Sequence, residues 1–150
     1  MQPDFLLKMS QSAYLSILTG VPTYRLKPFV ESLISSLGNI DVLLNRTGLI
    51  MVPGTDTVQG TNFHLGEVLV SEAHVRIEFS TGSVGEGYAA CLGRDLEQSL
   101  AIAMLDAALQ AEVMSETIFN FIKTEADLQT HNDSQLMRRV EATRVEMETF

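Results

Sequence analysis

The chain has 150 residues, of which 45% are hydrophobic and 19% charged, a composition typical of a folded globular protein rather than a disordered one. Its formal net charge is −9 and its 10 Lys and Arg residues are scattered, which argues against a nucleic-acid-binding face. The single cysteine, Cys91, excludes an intramolecular disulfide and a Cys-based zinc site, and it favours a reducing, cytoplasmic location. The sequence predicts neither a signal peptide nor a membrane-spanning segment.

The N-terminal half is predicted to form two helices followed by two short strands. Apolar residues recur with helical spacing over 4–19 and again over 24–37. Short apolar runs at 41–44 and 48–52 predict two strands joined by a turn. Residues 53–66 are rich in Gly, Thr, Asn and Gln and predict a long polar loop. Such a loop is either a ligand or partner loop or an ordinary surface excursion, and the sequence leaves both open.

The C-terminal half is predicted to form two strands, two helices and a final strand. Apolar and charged residues alternate over 67–79, and a second strand returns over 83–92. A helix opens at 93–95, and a further helical stretch covers 112–139 with a polar second half that could break it. The period returns to two over 140–149, which predicts a last strand.

This order of elements predicts an α+β fold with a mainly antiparallel sheet of four to five strands packed with about four helices. We expect one domain over 1–150, in which residues 1–10 could form a flexible N-terminal extension. Gly85 and Gly87 weaken their strand and predict a bulge or a close approach of another backbone. Cys91 and the methionines are expected to fill the core.

One candidate site lies at the junction of a strand with a helix, at Gly93-Arg94-Asp95. A helix N-terminus offers free N–H groups to an anion, and Arg94 could add a bidentate contact to a phosphate or carboxylate. Gly93 would allow close backbone approach. The alternative is purely structural: Gly93 turns the chain, Asp95 caps the helix and Arg94 pairs with a nearby carboxylate.

Charged residues on the strand faces form a second candidate site. Cross-strand ion pairing is the favoured interpretation, and a partner-covered face on which Arg76 and Arg144 meet acidic groups or a phosphate is the alternative. His64 and Glu67 lie three residues apart, but a metal site needs a third ligand and none can be assigned. No catalytic triad, phosphate-binding loop or dinucleotide fingerprint is present. The two predicted charged faces comprise Glu72, His74, Arg76 and Glu78 on one strand and Arg144, Glu146 and Glu148 on the other.

Several stretches, taken together and in order, resemble one family. No single stretch is specific, but their order and spacing over about residues 11–149 resemble the PhnG family, the G subunits of the bacterial carbon–phosphorus lyase system. The stretches are Thr47-Gly48-Leu49-Ile50, Phe63-His64-Leu65-Gly66-Glu67, Val75-Arg76, Val84-Gly85-Glu86-Gly87-Tyr88, Gly93-Arg94-Asp95, Leu105-Asp106-Ala107-Ala108-Leu109-Gln110 and Ala142-Thr143-Arg144-Val145-Glu146.

The resemblance implies a subunit that works with the H, I and J subunits of a core complex and functionally with the L protein. In that family the I subunit is regarded as the nucleosidase-like catalyst, and the complex replaces the adenine of ATP by a phosphonate. The J subunit is a radical-SAM iron–sulfur enzyme, and the single cysteine here could not hold its cluster. The resemblance therefore implies no cofactor and no catalytic residue in this subunit, and the I-type subunit as its direct partner.

Some positions depart from the family pattern, which places any phosphate role at those positions in doubt. Glu72 stands where an arginine is frequent, Thr57-Val58-Gln59-Gly60 replaces a Gly-Gly-Thr-Gly loop, and the usual C-terminal tail is missing. The remaining candidates for anion binding or for an interface are Gly60, Gly66, Glu67, Arg76, Gly93, Arg94, Asp95 and Arg144.

Two functions from different classes follow. The first is an assembly subunit of a ribosyl-phosphonate triphosphate synthase, with no catalytic acid or base of its own. The second is an independent small-anion-binding protein that uses the helix start at 93–95. Apolar stripes on the first two helices further predict exposed surface and a homodimer when the chain is isolated.

Overall fold

A computed structural model describes residues 9–145 and shows an α+β arrangement of four helices and one three-stranded antiparallel sheet in that part of the chain. Two helices precede the sheet and two follow it, and the strand order in the sheet is β1-β2-β3. No helix within 9–145 is both long and apolar enough to cross a bilayer. The elements are α1 (Gln11–Thr19), α2 (Thr23–Leu37), β1 (Asn39–Thr55), β2 (Asn62–Glu78), β3 (Val84–Leu92), α3 (Leu96–Gln110) and α4 (Ser115–Ala142).

The first two strands form a hairpin that is much longer than the third strand. β1 and β2 pair from Asn39 opposite Glu78 to Thr55 opposite Asn62, whereas β3 pairs only with the part of β2 from Val70 onward. The remaining part of the hairpin, residues 48–69, extends past the end of β3, and we call it the arm. A short turn closes it, and the carboxylate of Asp56 accepts hydrogen bonds there from the N–H groups of Val58 and Gln59.

The core lies between one face of the sheet and the helices, with α3 directly over β3. Gly85 and Gly87 allow this contact, because a Cβ at either position would overlap backbone atoms of α3. The prediction of a close backbone approach at these two glycines is therefore confirmed. The apolar stripe of α2 is buried, so the exposed apolar surface expected on the first two helices lies mainly elsewhere. The stripe consists of Leu26, Val30, Leu33 and Leu37.

The hairpin corrects two predictions. The runs 41–44 and 48–52 belong to one strand without a turn, because the residues between them pair with β2, Thr47 opposite Ser71 for example. The predicted loop 53–66 contributes the ends of both strands, and only the segment between Thr55 and Asn62 turns. Polar and glycine-rich residues remain extended here because the pairing of the two strands supplies their backbone hydrogen bonds.

The C-terminal segment corrects a third prediction. α4 runs unbroken through 130–133 and ends at Ala142. The predicted strand over 140–149 is therefore wrong as far as residue 145. Residues 146–150 lie outside the described part of the chain. The polar stretch stays helical, with the Thr130 hydroxyl donating to the carbonyl of Ala126. The described sheet accordingly has three strands rather than four to five.

The start of the N-terminal helix, for which the sequence offers Asp4 or Ser10 as the cap, lies at Ser10. α1 begins at Gln11, and the Ser10 hydroxyl oxygen accepts a hydrogen bond of 3.3 Å from the backbone N–H of Ala13. Serine at this position satisfies one of the N–H groups that a helix start leaves without an intrahelical partner. Residues 1–8, which include most of the predicted N-terminal extension and the start of the predicted helix, lie outside the described residues.

Candidate functional site

The arm carries large apolar side chains on both of its faces. Cross-strand partners share a face and successive residues alternate, so Leu49 and Leu69 lie on one face while Ile50 and Val68 lie on the other. Folded monomers bury side chains of this size, and contiguous apolar exposure marks an interaction surface. The large exposed apolar residues are Leu49 (61% exposed), Ile50 (49%), Met51 (55%), Val58 (86%), Phe63 (46%), Leu65 (67%) and Leu69 (39%).

Formal charges are sparse on the arm although the chain as a whole is acidic. Within 48–69 the only carboxylates are Asp56 in the turn and Glu67 in β2, and there is no Lys or Arg. Depletion of charge with enrichment of aromatic and apolar residues is the composition of a protein interface core. No strand within 9–145 pairs with the outer edge of β1, and this free edge of the arm offers backbone N–H and C=O groups to a partner strand.

The helix start at 93–95 lies at the base of the arm. The backbone N–H of Gly93, whose φ is +97°, donates a 2.9 Å hydrogen bond to the carbonyl of Leu69, the last arm residue. This positive φ favours glycine and turns the chain from β3 towards α3. Arg94 is exposed and makes no hydrogen bond or ion pair with any other residue of 9–145. Arg94 is therefore available to a partner at the point where the arm leaves the body.

Asp95 takes the structural role that the alternative interpretation gives it. One carboxylate oxygen of Asp95 accepts a 2.9 Å hydrogen bond from the N–H of Gln98, and the other accepts the Thr23 hydroxyl. These two bonds, the Thr23 hydroxyl first, hold the pKa of Asp95 below its ordinary value. The cap is thus formed above the ordinary Asp pKa and is lost as pH falls through the lowered value. An added anion at this helix start would meet the carboxylate of Asp95.

Two charged residues on the outer face of the sheet, Glu72 and His74, pair across strands, as the favoured interpretation predicts. Glu72 receives Nε of Arg46 and the hydroxyl of Tyr88, each at 2.6 Å, and the Tyr88 bond followed by the Arg46 bond lowers the pKa of Glu72. His74 lies 3.5 Å from the carboxylate of Glu86. This arrangement neutralises charge within the sheet rather than collecting it for an anion.

The structure does not bring all predicted site residues together. Gly60, with φ +67°, lies in the turn of the arm, and Gly66 and Glu67 lie within the arm. Arg76 is on the other half of β2, in register with Asp41 and Glu86. Arg144 follows α4 and pairs with Glu141 at 3.2 Å, so it does not join Arg76 on a sheet face.

Histidine positions give no metal site in the described part of the chain. His64 and Glu67 lie in β2 opposite Pro53 and Met51, separated by an irregularity in the register. His74 lies on the half of β2 that pairs with β3. No group of three His, Cys, Asp or Glu side chains within 9–145 is placed to hold a metal ion.

A buried carboxylate on α3 is a feature that the sequence analysis does not identify as a site. Asp106, 1% exposed, accepts the Tyr14 hydroxyl at 2.6 Å, Nε2 of Gln11 at 3.1 Å and the backbone N–H of Tyr88 at 3.0 Å. It therefore ties α1 and the free edge of β3 to α3. Burial first, and then Asp106, raise the pKa of Tyr14. The sequence signal is an aspartate within the apolar run Leu105-Asp106-Ala107-Ala108.

Comparison with known proteins decides the family. A family model described as phosphonate metabolism protein PhnG matches residues 9–150, which is nearly the whole chain. The chain belongs to the PhnG family. A PhnG relative from Rhizobium meliloti (strain 1021), named alpha-D-ribose 1-methylphosphonate 5-triphosphate synthase subunit PhnG, is 35% identical over 105 residues. The match covers 70% of this chain and 65% of that PhnG relative.

Proposed function

We propose that this chain is a non-catalytic subunit of an assembly that replaces the adenine of ATP by a phosphonate such as methylphosphonate. The product would be alpha-D-ribose 1-methylphosphonate 5-triphosphate, the compound in the printed name of the Rhizobium relative. ATP and the phosphonate are substrates of the assembly, and the use of ATP fits a bacterial cytoplasmic location. Family membership supports this role in phosphonate catabolism.

The apolar arm is the observation that carries the assembly role. The arm exposes side chains on both of its faces, and the rest of residues 9–145 lies at one end of it. A partner chain that encloses the arm would cover both faces. We propose the I-type subunit as the direct partner, with H- and J-type subunits completing the core and the L protein acting functionally. In the isolated chain, a second copy would cover the arm and give a homodimer.

The chemistry of the described residues supports a non-catalytic role. Burial raises the pKa of the Cys91 thiol to about 11, so this group is a protonated core side chain at neutral pH rather than a nucleophile. Glu72 and His74 on the outer sheet face have charged partners on neighbouring strands, and Asp106 is enclosed by its donors. No base, nucleophile and oxyanion donor converge on one open position among them.

The isolated chain is expected to release no adenine from ATP and methylphosphonate, since no base, nucleophile and oxyanion donor converge on one open position among its described residues. Chromatographic detection of adenine checks this, with a heat-treated sample as the blank and the complete assembly as the positive control. Adenine release by the purified chain above the blank would contradict the proposal.

Arg94→Ala is expected to lower adenine displacement by the assembly severalfold while the chain's own stability changes by about 0.5 kcal/mol or less, because Arg94 is exposed and unpaired within 9–145. The measurements are the thermal midpoint of the isolated chain and the rate of the assembly. Arg138→Ala, an exposed arginine on α4, is the matched control. A large fall in the midpoint with a normal rate would show that Arg94 is structural.

The exposed guanidinium of Arg94 also supports the second candidate, an independent anion-binding protein. However, the N–H of Gln98 at this helix start already donates a hydrogen bond to the carboxylate of Asp95, and this contact weakens the second candidate. Titration calorimetry of the isolated chain with methylphosphonate separates the two candidates. Saturable heat that Arg94→Ala removes would favour the anion-binding protein. No saturable heat would favour the assembly subunit.

A further inference from the structure

A pocket of about 450 Å³ opens between the start of α1, the end of α3 and the start of α4. It lies on the helical side of the molecule, and none of the residues that line it belongs to the arm. Its size falls within the range of small-ligand sites. The residues that line it include Met9, Gln11, Tyr14, Gln110, Glu112 and Phe119.

The two amide side chains turn their donors away from any ligand. Nε2 of Gln11 donates to the buried carboxylate of Asp106 at 3.1 Å, and Nε2 of Gln110 donates to the Tyr14 hydroxyl at 3.2 Å. The Tyr14 hydroxyl in turn donates to Asp106. Because a carboxylate accepts but does not donate, Asp106 fixes which way the Gln11 amide points, and the carbonyl oxygens of both amides remain as acceptors.

A carboxylate adds negative charge to this set of acceptors. Glu112 lines the pocket, and its side chain makes no hydrogen bond or ion pair with another residue of 9–145. Its φ is +57° and that of Met114 is +53°, so the connection from α3 to α4 holds two non-glycine residues in the left-handed region. Such backbone is costly and is concentrated at functional sites.

The remaining wall of the pocket is apolar and aromatic. Phe119 stands edge-on to Tyr14 with ring centroids 6.3 Å apart, and Met9 lies at the pocket as well. An alkyl stem can pack on such a surface while its charged head reaches acceptors. A phosphate or phosphonate would instead face the carboxylate of Glu112, and none of the residues of 9–145 that line the pocket is a Lys or Arg.

We propose that this pocket binds an organic cation, an alkylammonium or alkylguanidinium group whose head meets Glu112 and the amide oxygens of Gln11 and Gln110. Two sources share this chemistry: a free amine, or a Lys or Arg side chain from a partner subunit. The pocket is thus a second recognition site, independent of the arm.

The test uses the full-length chain labelled with carbon-13 at the methionine methyl groups and titrated with n-butylammonium, followed by NMR. We expect a saturable shift of the Met9 methyl with a dissociation constant on the order of 1–10 mM, the range for a ligand of about five heavy atoms. Glu112→Gln should weaken binding at least tenfold, whereas the exposed Glu116→Gln, with the same charge change, should leave it unaltered. The methyl of Met104 on α3, which is buried in the core, reports on intact folding in every variant.

The controls define which results overturn the proposal. Each of three results would overturn it: no saturable shift of the Met9 methyl, an equal shift with propylphosphonate or n-butanol, or unchanged binding in a folded Glu112→Gln variant. Repeating the titration in the assembled complex separates the two sources. Loss of n-butylammonium binding there assigns the pocket to a partner's Lys or Arg side chain, and retained binding assigns it to a free amine.

Discussion

Gly87→Ala is expected to destabilise the chain by about 3 kcal/mol or more, which is a large part of the 5–15 kcal/mol that holds a typical domain folded. The added Cβ would overlap the carbonyl oxygen of Ala103 and the amide nitrogen of Ala107. Both atoms belong to the backbone of α3, so no side chain can rotate away to relieve the overlap. Either α3 must lift from β3, or the strand must shift.

Gly48→Ala is the matched control for this prediction. Gly48 is also a strand glycine, but an added Cβ there meets nothing within 4 Å. Urea unfolding followed by circular dichroism should show a midpoint near that of the parent chain for Gly48→Ala and a much lower midpoint, or no folded baseline, for Gly87→Ala. Equal midpoints for the two variants would mean that the contact of α3 with β3 is looser than described here.

Leu49→Asp combined with Leu65→Asp is expected to abolish assembly without unfolding the chain. These leucines are 61% and 67% exposed, so the substitutions remove little packing from the isolated chain. In an interface they would bury two uncompensated charges where apolar anchors are each worth about 2 kcal/mol or more. We therefore expect affinity for the I-type subunit to fall at least about 100-fold. Self-association of the isolated chain should fall with it.

The measurements are co-purification with the I-type subunit and light scattering of the isolated chain over a dilution series. Val84→Asp is the control, because Val84 is likewise half-exposed and lies in a strand. It is the first residue of β3 and pairs with Glu78, at the end of the sheet that is far from the arm. Normal co-purification of the doubly substituted chain would contradict the role of the arm. A mass near 16.5 kDa at all concentrations of the parent chain would contradict self-association alone.

Local patterns predict the elements that pack on the core. The helical spacing over 24–37 matches α2, and the glycine positions in 83–92 predict how β3 meets α3. These succeed because one buried face imposes a regular period on the sequence. The arm has no buried face: apolar side chains lie on both sides of it, and a register irregularity between Val52 and Pro53 interrupts its alternation. In the sequence, the two strands of the arm therefore resemble short apolar runs and a polar loop.

The candidate site is predictable only in part, for a related reason. The junction 93–95 is correctly placed at a helix start, and Asp95 is its cap, because capping depends on residues a few positions apart. The contact of Gly93 with Leu69 at the base of the arm is different, because it depends on strand register. Residues far apart in the sequence determine that register together. Arg144 lies in a two-residue alternation that predicts a strand, yet it follows the end of α4 at Ala142 and belongs to no strand. In an exposed segment no packing enforces a period, so such an alternation can arise without a sheet.

The most direct test of the account is amide hydrogen exchange of the chain alone and in the assembled complex. The free edge of β1 and the exposed faces of the arm should leave amides in 48–69 open to exchange in a dilute isolated chain. We predict that assembly slows exchange in this segment at least tenfold, more than anywhere else in residues 9–145. Unchanged exchange over 48–69 in a complex that displaces adenine at its normal rate would contradict it.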